Sequence, residues 1–556
     1  MKLRKSASGL LLLALGFSVS SVQASHSHGY GGESCDYDLR DGAFYYNANN
    51  RPTDGNGNPQ QNELLVYPRS DDGTLGDPMR VKSGGYGNQA GIVTSGQNAV
   101  IHTGKGNRQF VLMTNPGFNP VANKYGKVNK NGSVSVFRVG KCSVRLTDVQ
   151  STRGQEPRAV TRDRRGRGWY KRDIVYVVNA GSGEVEFNGC PGLPEGFLAP
   201  TSPVVGTDLF CGERAAIPEE EQDPTSIIGY RLRNGKLKYI RGSHVPTADS
   251  DGDPAQISLI NEGRQVIVAQ RDTFFALGDG TESDNVEVFN LDKWGRPGKP
   301  VVSSTTGNDP FGFSVFPRKG RNYNDCVMMS HGSFQQRDQG GVGVFTLNEK
   351  GSKVRVIPNK ADGGSDTCWT AISRQNVLYT SAFFDSEISI RQIDPATCNM
   401  TDGGPPVIIG DSVDGVPGVP QFGPPLINIK HRVSSAAANF DGSPRGDNIA
   451  LRTDQKDFLY EAGGLDLAIS KKGDGEYLYA IWAPVPFYVG QDGDGNYLYP
   501  DTTQITVFRI IQGDESGACV GETKPSIYDD GCRPGDLELV QRVTGVPGSG
   551  FGAAAQ

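Results

Sequence analysis

One alternating apolar segment recurs seven times along this chain, and it constrains the fold more tightly than anything else in the sequence. The copies are Leu64-Leu65-Val66-Tyr67, Val134-Ser135-Val136-Phe137, Ile227-Ile228-Gly229-Tyr230, Val286-Glu287-Val288-Phe289, Val342-Gly343-Val344-Phe345, Ile388-Ser389-Ile390-Arg391 and Ile505-Thr506-Val507-Phe508. Short runs rich in β-branched and aromatic residues suit strands. Most copies lead through a glycine-bearing turn into a further strand-like run, as in Asn234-Gly235-Lys236-Leu237. The strand before each copy also recurs, as in Ile174 to Asn179, Val266 to Ala269 and Val377 to Thr380. A still earlier one is seen in Pro254 to Leu259, Pro310 to Phe316, Cys368 to Ser373 and Leu465 to Ser470. Four strands per unit and seven units predict an all-β chain, a seven-bladed β-propeller with four-stranded antiparallel blades.

The two ends of the repeat agree. Ala43 to Tyr46 reads as a second strand with no first strand before it, and Gly550 to Ala555 reads as an orphan first strand. A closing blade shared by N- and C-terminal strands would leave no open sheet edge. The 74 glycines and 34 prolines in 556 residues fit short strands joined by tight turns.

Residues 1–24 read as a secretory signal peptide. Lys2, Arg4 and Lys5 precede an apolar stretch from Leu10 to Val22, and Val22-Gln23-Ala24 offers small residues for cleavage. That stretch is short of the roughly 20 residues of a spanning helix. Residues 25–40 read as an N-terminal tail and 41–556 as a single propeller. The expected location is secreted, extracellular or cell wall, or periplasmic if the source is bacterial, with no membrane span. All nine cysteines lie beyond residue 24, so disulfides are expected and one cysteine stays odd. Loss of the three basic residues takes the formal charge from −6 to −9, which argues against a nucleic-acid partner.

Several runs resemble a known family: "VVNAGSG", "GDPAQIS", "NDPFGFSVFPRKGR", "DTCWTAIS", "GGLDLAIS" and the ending "VTGVPGSGFGAAAQ". They are similar to secreted members of the lactonase-like seven-bladed propellers, which include 6-phosphogluconolactonase and the fungal 3-carboxymuconate cyclase. The resemblance implies hydrolysis or formation of a small carboxylated lactone, by a lactone hydrolase or a muconate cycloisomerase-like enzyme, with no organic cofactor required. It also implies a histidine just after the proline that enters a first strand. Here those places read Pro157-Arg158-Ala159, Pro254-Ala255-Gln256 and Pro310-Phe311-Gly312, without histidine.

In a propeller the connections entering first strands and those between second and third strands share one face. The long excursions fall there: 47–61, 115–131, 181–225, 401–463 and 483–504, which points to a capped axial pocket, the alternative being decorative loops with no site. Arg158, Asp253, Asp309 and His331 are the candidate catalytic residues, because they sit at strand ends towards the axis. An arginine fork suits a substrate carboxylate, and a carboxylate or His331 suits proton transfer. Arg271, Asp366 and Trp369 are candidates for binding substrate. The competing reading is that the aspartates cap turns.

Asp249 with Asp251, and Asp492 with Asp494, space oxygens as a calcium site would, although turns of this composition need no metal. On the opposite face, Arg164, Arg165, Arg167 and Lys171, together with the turn cations Lys236, Lys238, Lys293, Arg296 and Lys299, point to an extracellular anionic polysaccharide as partner, the alternative being charged turns on a solvated face. The expected state is a monomer. The alternative to a lactonase-like enzyme is a non-catalytic extracellular binding, cell-wall or matrix protein on the same scaffold.

Overall fold

The computed structural model describes residues 35, 37–50, 58–88, 96–122, 128–163, 173–181, 185–187, 214–216, 223–248, 253–271, 285–305, 307, 310–318, 325–332, 340–361, 367–382, 387–402, 407–408, 462–470, 475–484, 490–491, 497–498, 502–513, 534–547 and 552–556. Residues Tyr37–Gln556 make one unit by contact, and Met1–Asp36 fall outside it.

The described strands form seven blades, each with its first strand innermost. Blade 1 joins the two ends of the chain: Ala553–Ala555 pairs with Ala43–Asn47, followed by Glu63–Pro68 and Met79–Lys82. Blade 2 runs Val100–Lys105, Arg108–Asn115, Ser133–Val139 and Val144–Ser151. Blade 3 has Pro157–Arg162, Ile174–Asn179 and Ser226–Arg233, with its outer strand split into Lys236–Tyr239 and Val245–Pro246. Blade 4 comprises Asp253–Ile260, Gln265–Arg271, Asn285–Asn290 and Val301–Ser304. Blade 5 comprises Pro310–Phe316, Cys326–His331, Gly341–Leu347 and Lys353–Ala361. In blade 6, Thr367–Ile372, Val377–Ala382 and Glu387–Ile393 precede another split outer strand, Met400–Asp402 and Val407–Ile408. Blade 7 has Ala462–Ser470, Glu476–Pro484, Thr502–Ile510 and Leu537–Pro547. The expected seven-bladed propeller and its shared closing blade are both present. Two short hairpins lie within the long excursions, Val185–Phe187 with Arg214–Ala216 and Gly490–Gln491 with Tyr497–Leu498.

The strand composition follows from burial on both faces. In Ile174–Asn179, Val175 and Val177 pack towards blade 2 with Phe110, Leu112 and Val136. The alternate residues Ile174, Tyr176 and Val178 pack towards blade 4 with Ile257, Val266 and Val268. A strand with period-two side chains and a core on each side needs apolar residues at successive positions. Such runs read as continuous rather than alternating hydrophobicity.

Polar links stitch each blade to the next. Asn47 Nδ2 donates to Thr114 O between blades 1 and 2, and Thr114 Oγ1 to Arg158 O between 2 and 3. Leu259 N donates to Thr161 Oγ1, Gln256 Nε2 to Phe313 O, and Ser314 Oγ bonds Thr370 Oγ1. Arg374 N donates to Glu476, and Ala553 N to Asp466 Oδ2, which closes the ring. Buried polar groups in such a core require partners, and in these links the partner lies in the neighbouring blade.

Among the cysteines, Cys326 and Cys398 form a disulfide between blades 5 and 6. Cys368, buried at the start of blade 6, is a thiol. No helix among the described residues is long and apolar enough to cross a membrane.

Candidate functional site

The first strands of blades 3 to 7 each carry a β-bulge where they begin. Register shifts fall between Pro157 and Ala159, Pro254 and Gln256, Pro310 and Phe313, Thr367 and Trp369, and Gly464 and Asp466. A bulge adds one residue against its partner strand and re-aims the side chain there. In blade 3 that added residue is Arg158. Opposite each bulged start lies the last residue of the second strand: Asn179 faces Pro157, Arg271 faces Asp253, and His331 faces Pro310. The register therefore puts Arg158, Asp253, Arg271 and His331 at one end of the axis.

Three of these meet. Arg271 donates from Nε to Asp253 Oδ2 at 2.6 Å, and its Nη2 lies 2.5 Å from the same oxygen. Arg158 Nη2 sits 3.1 Å from Asp253 Oδ1 and 3.3 Å from Glu156 Oε2. Arg158, Asp253 and Arg271 are all buried, so their charges must be compensated locally. Asp253 does this for both guanidinium groups. Arg271 also covers the Phe311 ring, 4.2 Å from its centroid, and Phe311 meets Trp369 edge-on at 5.1 Å. A continuous path of contacts thus runs from blade 3 to blade 6.

His331 is fully buried at the matching level of blade 5. Trp369 is buried too, and its Nε1 has no hydrogen-bond partner among the described residues. Asp309 and Asp366 lie outside the described residues, as do Asp249, Asp251, Asp492, Asp494, Arg164, Arg165, Arg167 and Lys171. Among the described residues, no three acidic, histidine or cysteine side chains are grouped to hold a metal.

Three residues belong to this end of the axis that the sequence did not single out. Phe311 is one, since its contact with Arg271 needs the blade 4–5 packing. The second is Glu156, which holds φ at 47°, a left-handed conformation that side chains rarely adopt. Desolvation raises its carboxyl above the ordinary value, opposed by Arg158, then raised again by Asp253 and lowered by Asn88. With 38% of the side chain open to solvent, that rise is moderated, yet Glu156 is the acid here that water reaches. Its place just before Pro157 was the available signal.

The third is Gln97, which precedes blade 2 but reaches across the axis. Its backbone N donates to Ala255 O, its Nε2 donates to Thr370 O, and its Oε1 accepts from Thr370 N. Gly312 permits this approach, because a Cβ there would stand 2.1 Å from Gln97 Oε1. Gln97 therefore ties blades 4 and 6 together beneath the arginine cluster. No local pattern announces such a contact.

The cluster can do two things chemically. With Glu156 ionised, two guanidinium groups balance two carboxylates; with Glu156 protonated, one positive charge remains. An anion would then be attracted to this end of the axis, and Glu156 is placed to exchange a proton with solvent.

No family model matches the chain, and no curated protein matches it. Solved structures do match in outline. One, from Bacteroides fragilis and provisionally assigned as a 6-phosphogluconolactonase, is 12% identical with a TM-score of 0.43, covering 93% of this chain and 98% of that one. A hypothetical selenium-binding protein from Sulfolobus tokodaii is 11% identical with a TM-score of 0.44, covering 93% and 95%. The periplasmic gluconolactonase of Pseudomonas aeruginosa is 13% identical with a TM-score of 0.30, covering 66% and 96%. The chain is a seven-bladed β-propeller. That assignment rests on the strand pairing above.

Proposed function

We propose that the chain is an exported, lactonase-like propeller that takes a small carboxylated lactone at the Arg158 end of its axis. The observation that carries this reading is the solvent-reachable Glu156 carboxyl, raised by burial and 3.3 Å from the Arg158 guanidinium. Arg158 would attract the carboxylate of the ligand. Protonated Glu156 would give its proton to the ring oxygen as the oxygen of a water molecule bonds to the lactone carbonyl carbon and the acyl–oxygen bond breaks. The proton released by that water returns to Glu156, and a hydroxy acid results. Export is supported by the Cys326–Cys398 disulfide, since such bonds persist in oxidising compartments.

A panel of carboxylated lactones offered to the purified chain, with calcium and with a chelator, tests this. Ring opening should fall at least about tenfold in Glu156→Gln and in Arg158→Ala. Turnover unchanged in both variants, or no turnover of any lactone, overturns the reading; turnover lost only with chelator would move the chemistry to the aspartate-rich loops at 249–253 and 492–494.

One observation favours a second reading, a non-catalytic binding or matrix protein. Arg271 turns Nε and Nη2 to Asp253, which makes that edge of its fork a strut rather than a ligand holder. A fold of this kind serves both roles. Ligand-induced thermal stabilisation without turnover would select it.

A further inference from the structure

At the opposite end of the blades, the turn between the third and outer strands of blade 4 holds a tryptophan out to solvent. Asp292 Oδ1 accepts from Trp294 N at 2.8 Å and from Arg296 N at 2.9 Å, and Gly295 N donates to Asp292 O. Gly295, at φ 78°, supplies the left-handed residue that this three-residue hairpin loop needs. Blade 3 braces the turn from the side. Tyr176 Oη donates to Gly295 O at 2.6 Å, and Arg231 Nη2 donates to Trp294 O at 3.1 Å. The turn is therefore fixed, yet Trp294 remains 45% exposed.

The same turn is built elsewhere without an indole. In blade 5 Asn348 and Gly351 play the parts of Asp292 and Gly295, and Lys350 stands where Trp294 does. In blade 1 Ser70 and Gly73 do so, with Asp72 in that place. The backbone does not require Trp294, so its exposure calls for another explanation.

Cations surround it. Lys293 Nζ lies 4.3 Å from the indole centroid and Arg296 Cζ 5.2 Å. Arg296 rests against Gly242, beside the exposed Arg241, and Arg231 completes the seam between blades 3 and 4. Asp292, the acid of this turn, already has one oxygen engaged with two backbone amides. An exposed apolar ring flanked by cations complements a sugar face bearing anionic substituents.

We propose that Trp294, Lys293, Arg296, Arg231 and Arg241 form a docking site for an acidic polysaccharide, one carrying carboxylate or sulfate groups. The indole takes the apolar face of a sugar ring, and the cations take the anions on either side. Because the turn is held before binding, little conformational entropy is lost on docking. This site is separate from the axial cluster and does not depend on its function.

The test uses the full chain on immobilised heparin, with dextran as neutral control, and a single-stranded oligonucleotide and phosphatidylserine vesicles as other anions. Retention on heparin should occur at low salt, fall as salt screens the charges, and be absent on dextran. Trp294→Ala and the double change Lys293→Ser with Arg296→Ser should each weaken heparin binding about tenfold. Neither should alter the thermal midpoint, because all three residues are exposed. No retention at low salt, or equal retention by both variants, overturns the proposal. Tighter binding to oligonucleotide or vesicles, lost in the same variants, overturns the polysaccharide assignment and gives the site to that partner.

Discussion

Asp253 and Arg271 face each other across the first two strands of blade 4, and the arginine closes on one carboxylate oxygen with both Nε and Nη2. The other oxygen faces Arg158, 3.1 Å away in blade 3. One buried acid thus compensates two buried bases from adjacent blades. Removing it takes this carboxylate from Arg271 and leaves Arg158 only Glu156 as a paired acid. Asp253→Ala should destabilise the fold by roughly 3–5 kcal/mol, the range for breaking a buried pair. Asp253→Asn keeps a hydrogen-bond acceptor and should cost less. Urea unfolding of the two variants checks the order; an alanine variant as stable as wild type would mean that the cluster is not a structural tie.

Gln97 is the second tie across the axis. Its side chain satisfies both Thr370 N and Thr370 O, which are buried. Gln97→Ala should cost about 1–3 kcal/mol, the penalty for leaving buried polar groups unmet. Gln97→Glu should be worse, because a carboxylate cannot donate to Thr370 O. Chemical denaturation ranks the three proteins, and a ranking with glutamate above alanine would contradict the hydrogen-bond assignment.

The fold was legible in the sequence because each blade repeats one physical problem. Strands such as Ile174–Asn179 bury both faces, so runs like Ile174-Val175-Tyr176-Val177-Val178 declare themselves wherever they recur. The axial end was legible in part. Arg158, Asp253 and Arg271 stood at strand ends, and the register made them neighbours. Their partnership was not readable: a sequence shows an arginine near the axis, but not whether its fork meets a ligand or an aspartate. Phe311, Glu156 and Gln97 escaped for related reasons. Phe311 and Gln97 act through contacts between blades, and Glu156 precedes a proline in what reads as a connection.

The Cys326–Cys398 bond spans 72 residues and pins the start of the second strand of blade 5 to a turn of blade 6. Cross-linking a loop of that length restricts the unfolded chain, and about 2–4 kcal/mol of stability should go with it. Replacing both cysteines by serine should lower the urea midpoint with little change in slope. A midpoint equal to wild type would show that the staple adds nothing to the blade contacts.

The closing blade makes the last prediction, because its hydrogen bond to blade 7 runs through a titratable group. Asp466 is buried and accepts from Leu467 N and Ala553 N, each at 2.8 Å. Burial pushes its carboxyl up to about 7, and the two amide bonds only partly offset that rise. In the unfolded chain the same group titrates near 4. Between these values the folded state holds a proton that the unfolded state has released. Stability from this residue is therefore present in full below about pH 4, declines as pH rises, and is lost above about pH 7. The slope should approach but not exceed roughly 1.4 kcal/mol per pH unit. Asp466→Asn cannot titrate, so the stability difference between wild type and variant should shrink or reverse from pH 4.5 to pH 7.5. The variant itself should be weaker at low pH, because the amide turns a donor towards one of the two backbone N–H groups. Unfolding free energies of both proteins at four pH values give the difference directly and cancel the other titrating groups. A difference that stays constant with pH would show that Asp466 keeps one protonation state throughout, and that the latch between Asp466 and Ala553 is indifferent to acidity.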